Sequence, residues 1–554
     1  MRKILSRIFI ASGVIASMTF TANSQELQMD VISNFDNEKL ILTSIEEEKQ
    51  GGMSMNAAWV PMQLDMSSMG EWEYNADGSK RWLYAFQSPG ALALGVVFNY
   101  YNLPEGAELY LYSADKSWLE GPFTSDQNKS HHIFRTPEVY GDAAILEYRQ
   151  PAGVVGNVRL ETRGMLHFYR MIQDPRAEQF KNVESDPCEV DVNCPEGDAW
   201  ANEKHAVVRL SLVMSGGAGL CSGTLVNNTA MDCKGYVLTA MHCTESSSDA
   251  DLLASSARFN FAKSGCGTGL GSTTQNSTGL YLRADSNDGG GATGSDFALI
   301  ELQDAIPASW TVYYAGWDAT DNIPAAIPDS LYGAKAVCIH HPAGDYMKIS
   351  HASQVTKGTW QASDRHWRTV WMATETEHGV TEGGSSGSPI FSPSHQIIGT
   401  LTGGGSYCTT PTSPDYYGRM AKHWTGNFNP NAANQKLKVW LDPGNLGWLT
   451  LNGATKGTSA LPCQPIGVNE ELQFDDVVVY PTLIQTTFQV QVANNPWIQQ
   501  AIVFDSNGRQ VASQNFNSSQ LTFDASSWAN GVYYLSVRQN NGSFVTKKLV
   551  VAHS

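Results

Sequence analysis

Apolar residues in this chain fall mostly in short runs or alternate with polar ones, and clusters of Gly, Pro, Asn and Asp bound them. That spacing predicts strands and turns rather than long helices. Between residues 25 and 181 it predicts strands over 82–86, 91–101 and 108–112, with turns at Ser88-Pro89-Gly90 and Pro104-Glu105-Gly106. From 188 to 453 the same texture predicts strands over 206–213 and 297–302, and one short helix over 435–441. Past 468, strands over 488–492, 501–504, 533–537 and 544–551 alternate cleanly, and Asp505-Ser506-Asn507-Gly508 predicts a hairpin turn. The last unit reads as a small β-sandwich. The expected class is all-β throughout.

The first residues follow a different pattern. Met1-Arg2-Lys3 and Arg7 precede an apolar run over 8–20, and Ala22-Asn23-Ser24 places small residues after it. This predicts a secretory signal over 1–24, the run being short for a membrane span. The expected organisation is therefore a signal peptide (1–24), a β-rich unit (25–181), a second β unit (182–453), a linker (454–467) and a terminal unit (468–554). The linker reads Ala-Thr-Lys-Gly-Thr-Ser-Ala-Leu-Pro-Cys-Gln-Pro-Ile-Gly.

Composition narrows the function classes. At 554 residues, 42% hydrophobic and 16% charged, the chain is globular and long enough for several domains. A formal net charge of −18 argues against a nucleic-acid partner, which would need a basic stripe, and against electrostatic binding to an anionic membrane. The nine cysteines fit an oxidising compartment, and none precedes Cys188, so the disulfide-stapled unit begins near there. His131-His132 reads as an exposed loop pair rather than a metal site. Neither metal nor organic cofactor is expected.

Three segments carry chemistry. Val237-Leu238-Thr239-Ala240-Met241-His242-Cys243 runs an apolar strand into a histidine, with Cys243 available to tie the turn to Cys221. Ser295-Asp296-Phe297-Ala298-Leu299-Ile300 sets an aspartate at the head of an apolar strand; Asp285, Asp288 and Asp304 open no such strand. Gly383-Gly384-Ser385-Ser386-Gly387-Ser388-Pro389-Ile390 supplies glycines for a tight turn around a serine, and a strand resumes at once. Amide hydrolysis by a serine needs a base, a carboxylate that holds the base in one tautomer, and N–H donors for the oxyanion. His242, Asp296 and Ser386 fit the first roles, and the N–H groups of Gly384 and Ser386 fit the last.

Together these motifs resemble the trypsin family. More narrowly, residues 188–450 resemble bacterial lysyl endopeptidases. The likeness rests on Cys188-Glu-Val-Asp-Val-Asn-Cys194, Leu225-Val-Asn-Asn-Thr-Ala, Ala315-Gly-Trp-Asp, His340-His341-Pro342, Gly379-Val-Thr-Glu-Gly-Gly-Ser-Ser-Gly-Ser-Pro and Asp415-Tyr-Tyr-Gly-Arg419. The resemblance implies a double β-barrel with the active site between the barrels. Trypsin's pocket aspartate would fall at Val380, so that solution is absent; the lysyl endopeptidase position is Asp415. A histidine of those relatives is replaced by Thr402, which leaves cleavage after arginine, or after both bases, open as an alternative. The resemblance also implies the disulfides Cys188–Cys408, Cys194–Cys266 and Cys221–Cys243. For the remaining cysteines the expectation is Cys233 with Cys463, and Cys338 as a buried thiol.

Trypsin's activation switch needs an aspartate where this chain has Ser385, so residues 25–181 are expected to act instead as a propeptide, released after Lys181. The terminal unit resembles the type A sorting domain of the type IX secretion system at Tyr480-Pro481, Asn507-Gly508-Arg509, Gly531-Val532-Tyr533-Tyr534 and Lys547-Lys548-Leu549. That implies the secretion machinery as a partner and an extracellular or surface location; an adhesion module is the other reading. The expected partners are otherwise protein or peptide substrates of a monomeric enzyme, with a catalytically dead adhesin as the reading from another class.

Overall fold

The computed structural model describes residues 28–32, 35–49, 53–170, 185–272, 274–324, 332–426, 432–458, 461, 477–481, 483–492, 498–505, 509–515, 520–539 and 544–553. The expected signal peptide, the release site after Lys181, Cys463 and the Asn507-Gly508 turn lie outside the described residues. The expected all-β class holds.

In the first unit the predicted strands form as Lys80–Gln87, Ala93–Asn102 and Glu108–Ser113. Lys80–Gln87 and Glu108–Ser113 flank Ala143–Gln150 antiparallel. Their inward residues, among them Trp82, Tyr84, Phe86, Phe98 and Tyr101, share one core, a buried Phe contributing roughly 1.5–3 kcal/mol by leaving water. A helix over Asn37–Lys49 was not expected. Asp36 caps it, its Oδ1 accepting from the Lys39 N–H at 3.1 Å, and Glu38 sits in its first turn where the helix dipole favours an anion.

The second unit holds two groups of strands. In the first barrel Val207–Met214 pairs with Gly217–Leu225 and Ser256–Phe259. Tyr236–Thr239 joins Gly217–Leu225 to Ala298–Leu302. The second barrel is built on Ala336–His340, Lys348–Trp360, Ser363–Trp371, Pro389–Phe391, Gln396–Gly404 and Asp415–Arg419. A core containing Trp200, Phe297, Trp317 and Phe391 lies between the two barrels. The predicted helix over 435–441 shortens to one turn, Lys438–Leu441, preceded by a 3-10 turn.

The two units are not separate sheets. Strand Ser54–Val60 pairs on one side with Arg159–Phe168 of its own unit and on the other with Gly217–Leu225 of the first barrel. One sheet of 12 strands therefore runs from the first unit into the second. Gly217 (φ +147°) permits the join, because a Cβ there would lie 1.9 Å from the Ala57 carbonyl. Small residues, Ala57, Ala93, Ala218 and Ala254, pack with Leu166, Phe168 and Val213 beneath it. Loop contacts extend the interface: Lys129 Nζ lies 2.8 Å from Asp304, and His131 Nε2 lies 2.7 Å from Gln303 Oε1. His132 instead stacks on Tyr100, so the two histidines do not converge.

The terminal unit is a sandwich of a three-stranded and a five-stranded sheet around Phe488, Val503, Phe523, Leu535 and Leu549. Ile498–Asp505 and Gln510–Asn515 pair as the expected hairpin.

Candidate active site

Strand Tyr236–Thr239 ends at Ala240 and turns into a single 3-10 turn, Met241–Cys243. The Cys221–Cys243 disulfide ties that turn to the neighbouring strand. His242 is thereby held with Nδ1 2.8 Å from Asp296 Oδ2, while its backbone N–H donates to Asp296 Oδ1 at 3.0 Å. Since a carboxylate accepts, Nδ1 carries the proton and the Nε2 lone pair is left available. Burial pulls the His242 pKa down, but the charge and hydrogen bond of Asp296 outweigh it and hold it above the ordinary value. For Asp296 burial pushes upward, and His242 more than offsets it, so its pKa stays below the ordinary carboxylate value.

Asp296 is fully buried in a left-handed conformation, φ 55°, which costs a non-glycine residue roughly 1–2 kcal/mol. Asp288 holds it there. Its Oδ2 accepts from the Asp296 N–H at 2.9 Å and its Oδ1 from the Gly291 N–H at 2.9 Å. The sequence ranks Asp288 only as a poorer rival to Asp296; nothing in the linear pattern signals a carboxylate that grips another residue's backbone.

The serine loop is threaded against the first barrel. Ser222 N–H donates to the Ser386 carbonyl at 2.8 Å, and Ser222 Oγ donates to the Gly384 carbonyl at 2.9 Å. Gly384 and Gly387 both have positive φ. A Cβ on Gly387 would lie 2.1 Å from Thr239 Oγ1 and 2.7 Å from Ala240 N, so only glycine lets this loop reach the strand end that carries His242. Within the loop, the N–H groups of Ser385, Gly387 and Ser388 donate to the carbonyls of Glu382, Leu401 and Ser385. Among the described residues no acceptor engages the N–H of Gly384 or Ser386. Two donors are thus left around a half-buried serine.

Where trypsin-like enzymes use an aspartate next to the nucleophile, Ser385 enters a neutral network. His340 Nδ1 lies 2.7 Å from Ser385 Oγ and its Nε2 3.2 Å from Ser350 Oγ. Burial pushes the His340 pKa down to about 3, so the ring is neutral at ordinary pH; the Glu189 carboxyl lies 3.6 Å from its Nε2.

Asp415 is fully buried at the start of strand Asp415–Arg419. Its Oδ2 accepts from Trp371 Nε1 (2.6 Å), Thr381 Oγ1 (2.7 Å) and Ser406 Oγ (2.5 Å), and its Oδ1 from the Ser406 N–H (3.1 Å). All four donors are neutral, and among the described residues no cationic side chain pairs with it. Burial accordingly pushes its pKa up against the pull of these hydrogen bonds. Exposed Gly404 leaves the approach open, since a Cβ there would lie 1.9 Å from Oδ1. Val380, at the trypsin position, is buried in the apolar core beside it. Thr402 Oγ1 lies 3.1 Å from His366 Nε2. A Cβ on Gly291 would lie within 3.4 Å of both Asp296 and His366, so that ring stands close to the aspartate.

The disulfides Cys188–Cys408, Cys194–Cys266 and Cys221–Cys243 are present. Cys233 is disulfide-bonded; its expected partner lies outside the described residues. Cys338 is a buried free thiol. Cys221, His242 and Cys243 bring their ligand atoms together, but both sulfurs belong to one disulfide and offer no thiolate to a metal.

The first unit also reaches this loop. Glu48, near the end of its helix, is held by Ser44, Ser54 and Arg170 through Oε1. Its Oε2 would lie 2.6 Å from a Cβ on Gly383, next to the candidate oxyanion donors.

Residues 183–418 match the family described as lysyl endopeptidase, C-terminal domain. Residues 478–552 match the secretion system C-terminal sorting domain. The chain is 28% identical over 377 residues to a lysyl endopeptidase of Pseudomonas aeruginosa, an alignment covering 64% of this chain and 76% of that protein. Among solved structures it is similar to a thermostable serine protease, AL20, from an extremophilic microorganism: 14% identity, TM-score 0.27, 39% of this chain and 91% of that one. A serine endoprotease from Yersinia pestis matches with 15% identity and TM-score 0.26 over 41% of this chain and 62% of that one.

Proposed function

We propose that this serine endopeptidase, whose protease unit carries the lysyl endopeptidase C-terminal domain and whose tail is a type IX sorting domain that sends it out of the cell, cleaves peptide bonds on the C-terminal side of lysine. His242 Nε2 takes the Ser386 Oγ proton as Oγ attacks the scissile carbonyl. The oxyanion lies against the N–H groups of Gly384 and Ser386. His242 then protonates the leaving amine, and a water molecule repeats the sequence to hydrolyse the acyl-enzyme. Asp296 holds the Nδ1–H tautomer and stabilises the imidazolium formed in each half.

One observation carries the lysine assignment: Asp415 is a fully buried carboxylate met only by neutral donors. An uncompensated buried charge is costly, and a lysine ammonium entering over Gly404 supplies the missing cation. The alkyl stem suits the neighbouring apolar wall of Trp371, Val380 and Leu401. The test is cleavage of matched Lys and Arg peptides by the secreted enzyme, with Ser386→Ala as control. Strong cleavage after Lys, absent in the control, supports the reading. Equal cleavage after Arg refutes the specificity and leaves the triad standing; activity in the control refutes the triad.

Residues 25–181 act as a propeptide in this reading. The shared strand Ser54–Val60 and the helix carrying Glu48 support it, because both lie against the loop or strand that positions Ser386. The processed enzyme acts as a monomer on protein substrates.

A further inference from the structure

The first unit and the first barrel enclose a cavity of about 790 Å³, about 10 Å from the serine loop by the strand spacing. Arg258 stands directly across from Arg209 on the neighbouring strand, and Arg209 directly across from Ser222. Directly opposed residues of an antiparallel pair project to one face. Both arginines therefore lie on the face from which Ser222 Oγ reaches Gly384. Arg209 is 9% exposed. Its Nη1 donates to the Gly344 carbonyl at 3.2 Å and its guanidinium lies 4.5 Å from the Phe261 ring centroid; that of Arg258 lies 5.6 Å from the same ring. The Nε atoms of both are buried without an acceptor.

Facing them from the first unit is Glu138, 3.6 Å from Arg258 and 3.8 Å from Arg135. The three arginines outweigh the penalty of burial and hold its pKa below the ordinary value. Of the two other carboxylates in the lining, Glu120 accepts from Trp118 Nε1 at 2.9 Å and Asp304 pairs with Lys129 Nζ at 2.8 Å. In a chain of net charge −18, the carboxylate that pairs with Arg258 and also attracts Arg209 is thus one of the first unit.

We propose that in the processed enzyme Arg209 and Arg258, walled by Phe261 and Tyr346, form a subsite for a carboxylate side chain of the peptide substrate, two or three residues past the scissile bond, and that Glu138 occupies this subsite in the precursor. The inference rests on the peptidase reading above. With lysine in the second barrel at Asp415, the departing half of the substrate runs over the first. An extended peptide rises about 3.3 Å per residue against a strand spacing of about 4.8 Å, which brings its second or third residue level with Arg209.

Two measurements test it. Peptides carrying Glu or Gln at the second and third positions after the cleaved bond are compared with processed enzyme. Glu is expected to raise kcat/KM about tenfold over Gln, and Arg258→Gln to bring that ratio near one. Equal rates in the parent enzyme, or a preference that survives R258Q, overturn the subsite. In the full chain with Ser386→Ala, Glu138→Gln and Arg258→Gln should each lower Tm, and together by clearly less than the sum; additive shifts overturn Glu138 as the occupant. If no peptide is cut at all, the peptidase reading fails, and the Tm cycle still decides whether Glu138 and Arg258 are coupled.

Discussion

At the scale of single residues the site is defined by what each buried carboxylate touches. Asp415 has four neutral donors; on the proposed reading it receives the substrate ammonium, so Asp415→Asn is expected to lower kcat/KM for Lys peptides about 10²–10³-fold while a slow-turnover ester lacking a basic side chain loses little. Comparable losses on both substrates would show that Asp415 is structural. Asp288 acts through Asp296: Asp288→Asn sets an amide against two backbone donors and is expected to cost roughly tenfold in kcat. Asp288 is also one of the charges that raise the His242 pKa. His242 must be neutral to act as base, so kcat/KM falls as pH drops through its raised pKa, and D288N should move that acid limb downward. A pH profile of the two enzymes decides it, an unmoved limb counting against the role. Of these residues His242, Asp296, Ser386 and Asp415 are legible in the sequence because each sits in a motif. Asp288 is not, since its partner is a backbone N–H brought near only by the turn that Gly291 permits.

At the scale of elements the decisive feature is strand Ser54–Val60, which belongs to two units at once. Its alternation predicts a strand somewhere, but the partner across Gly217 is set by long-range register, which local pattern does not encode. Gly217→Val would drive a side chain into the Ala57 carbonyl. In a full chain carrying Ser386→Ala, this change is expected to raise amide exchange of residues 54–60 at least tenfold and leave the second barrel unchanged. Unaltered protection of that strand would argue that the join is not what docks the first unit. The helix Asn37–Lys49 was hidden for a related reason: its apolar stripe is weak, and it is fixed by packing Ser44 and Glu48 against Arg170 rather than by amphipathicity.

At the scale of the whole molecule, burial of histidines sets the response to acid. Burial pushes His340, His341 and His423 down to about 3, and His351 and His366 to about 4. Unfolded, each binds a proton below about 6.5. Between that pH and about 4 the unfolded chain therefore holds more protons, and stability falls with pH by up to about 1.4 kcal/mol per unit for each ring. His242 runs the other way: its raised pKa adds stability that is full below about 6.5 and lost as pH rises through the folded value. Burial lowers a sixth ring, His167, to about 4 as well, while the hydrogen bond with Glu203 raises His395 alongside His242; six rings outweigh two, so Tm of the Ser386→Ala protein should drop steeply from pH 6.5 to 4.5, and calorimetry showing a flat Tm there would contradict this. Removal of residues 468–554 is expected to leave active enzyme inside the cell envelope, as fractionation of the culture would show. Export without the tail would favour an adhesion role for that unit.

The sequence by itself determined the all-β class, the order of units, the three chemical motifs, three disulfide pairs through their resemblance, and the candidate pocket carboxylate. These follow from local period and from residues whose spacing along the chain is their signal. Only the tertiary structure decided that the first unit and the first barrel share one sheet, that Asp288 grips Asp296, that His340 meets the Ser385 hydroxyl beside the candidate serine, and that Arg209, Arg258 and Glu138 face one cavity. Each of these joins residues far apart in the chain, where cross-strand register and burial, not sequence neighbours, choose the partner.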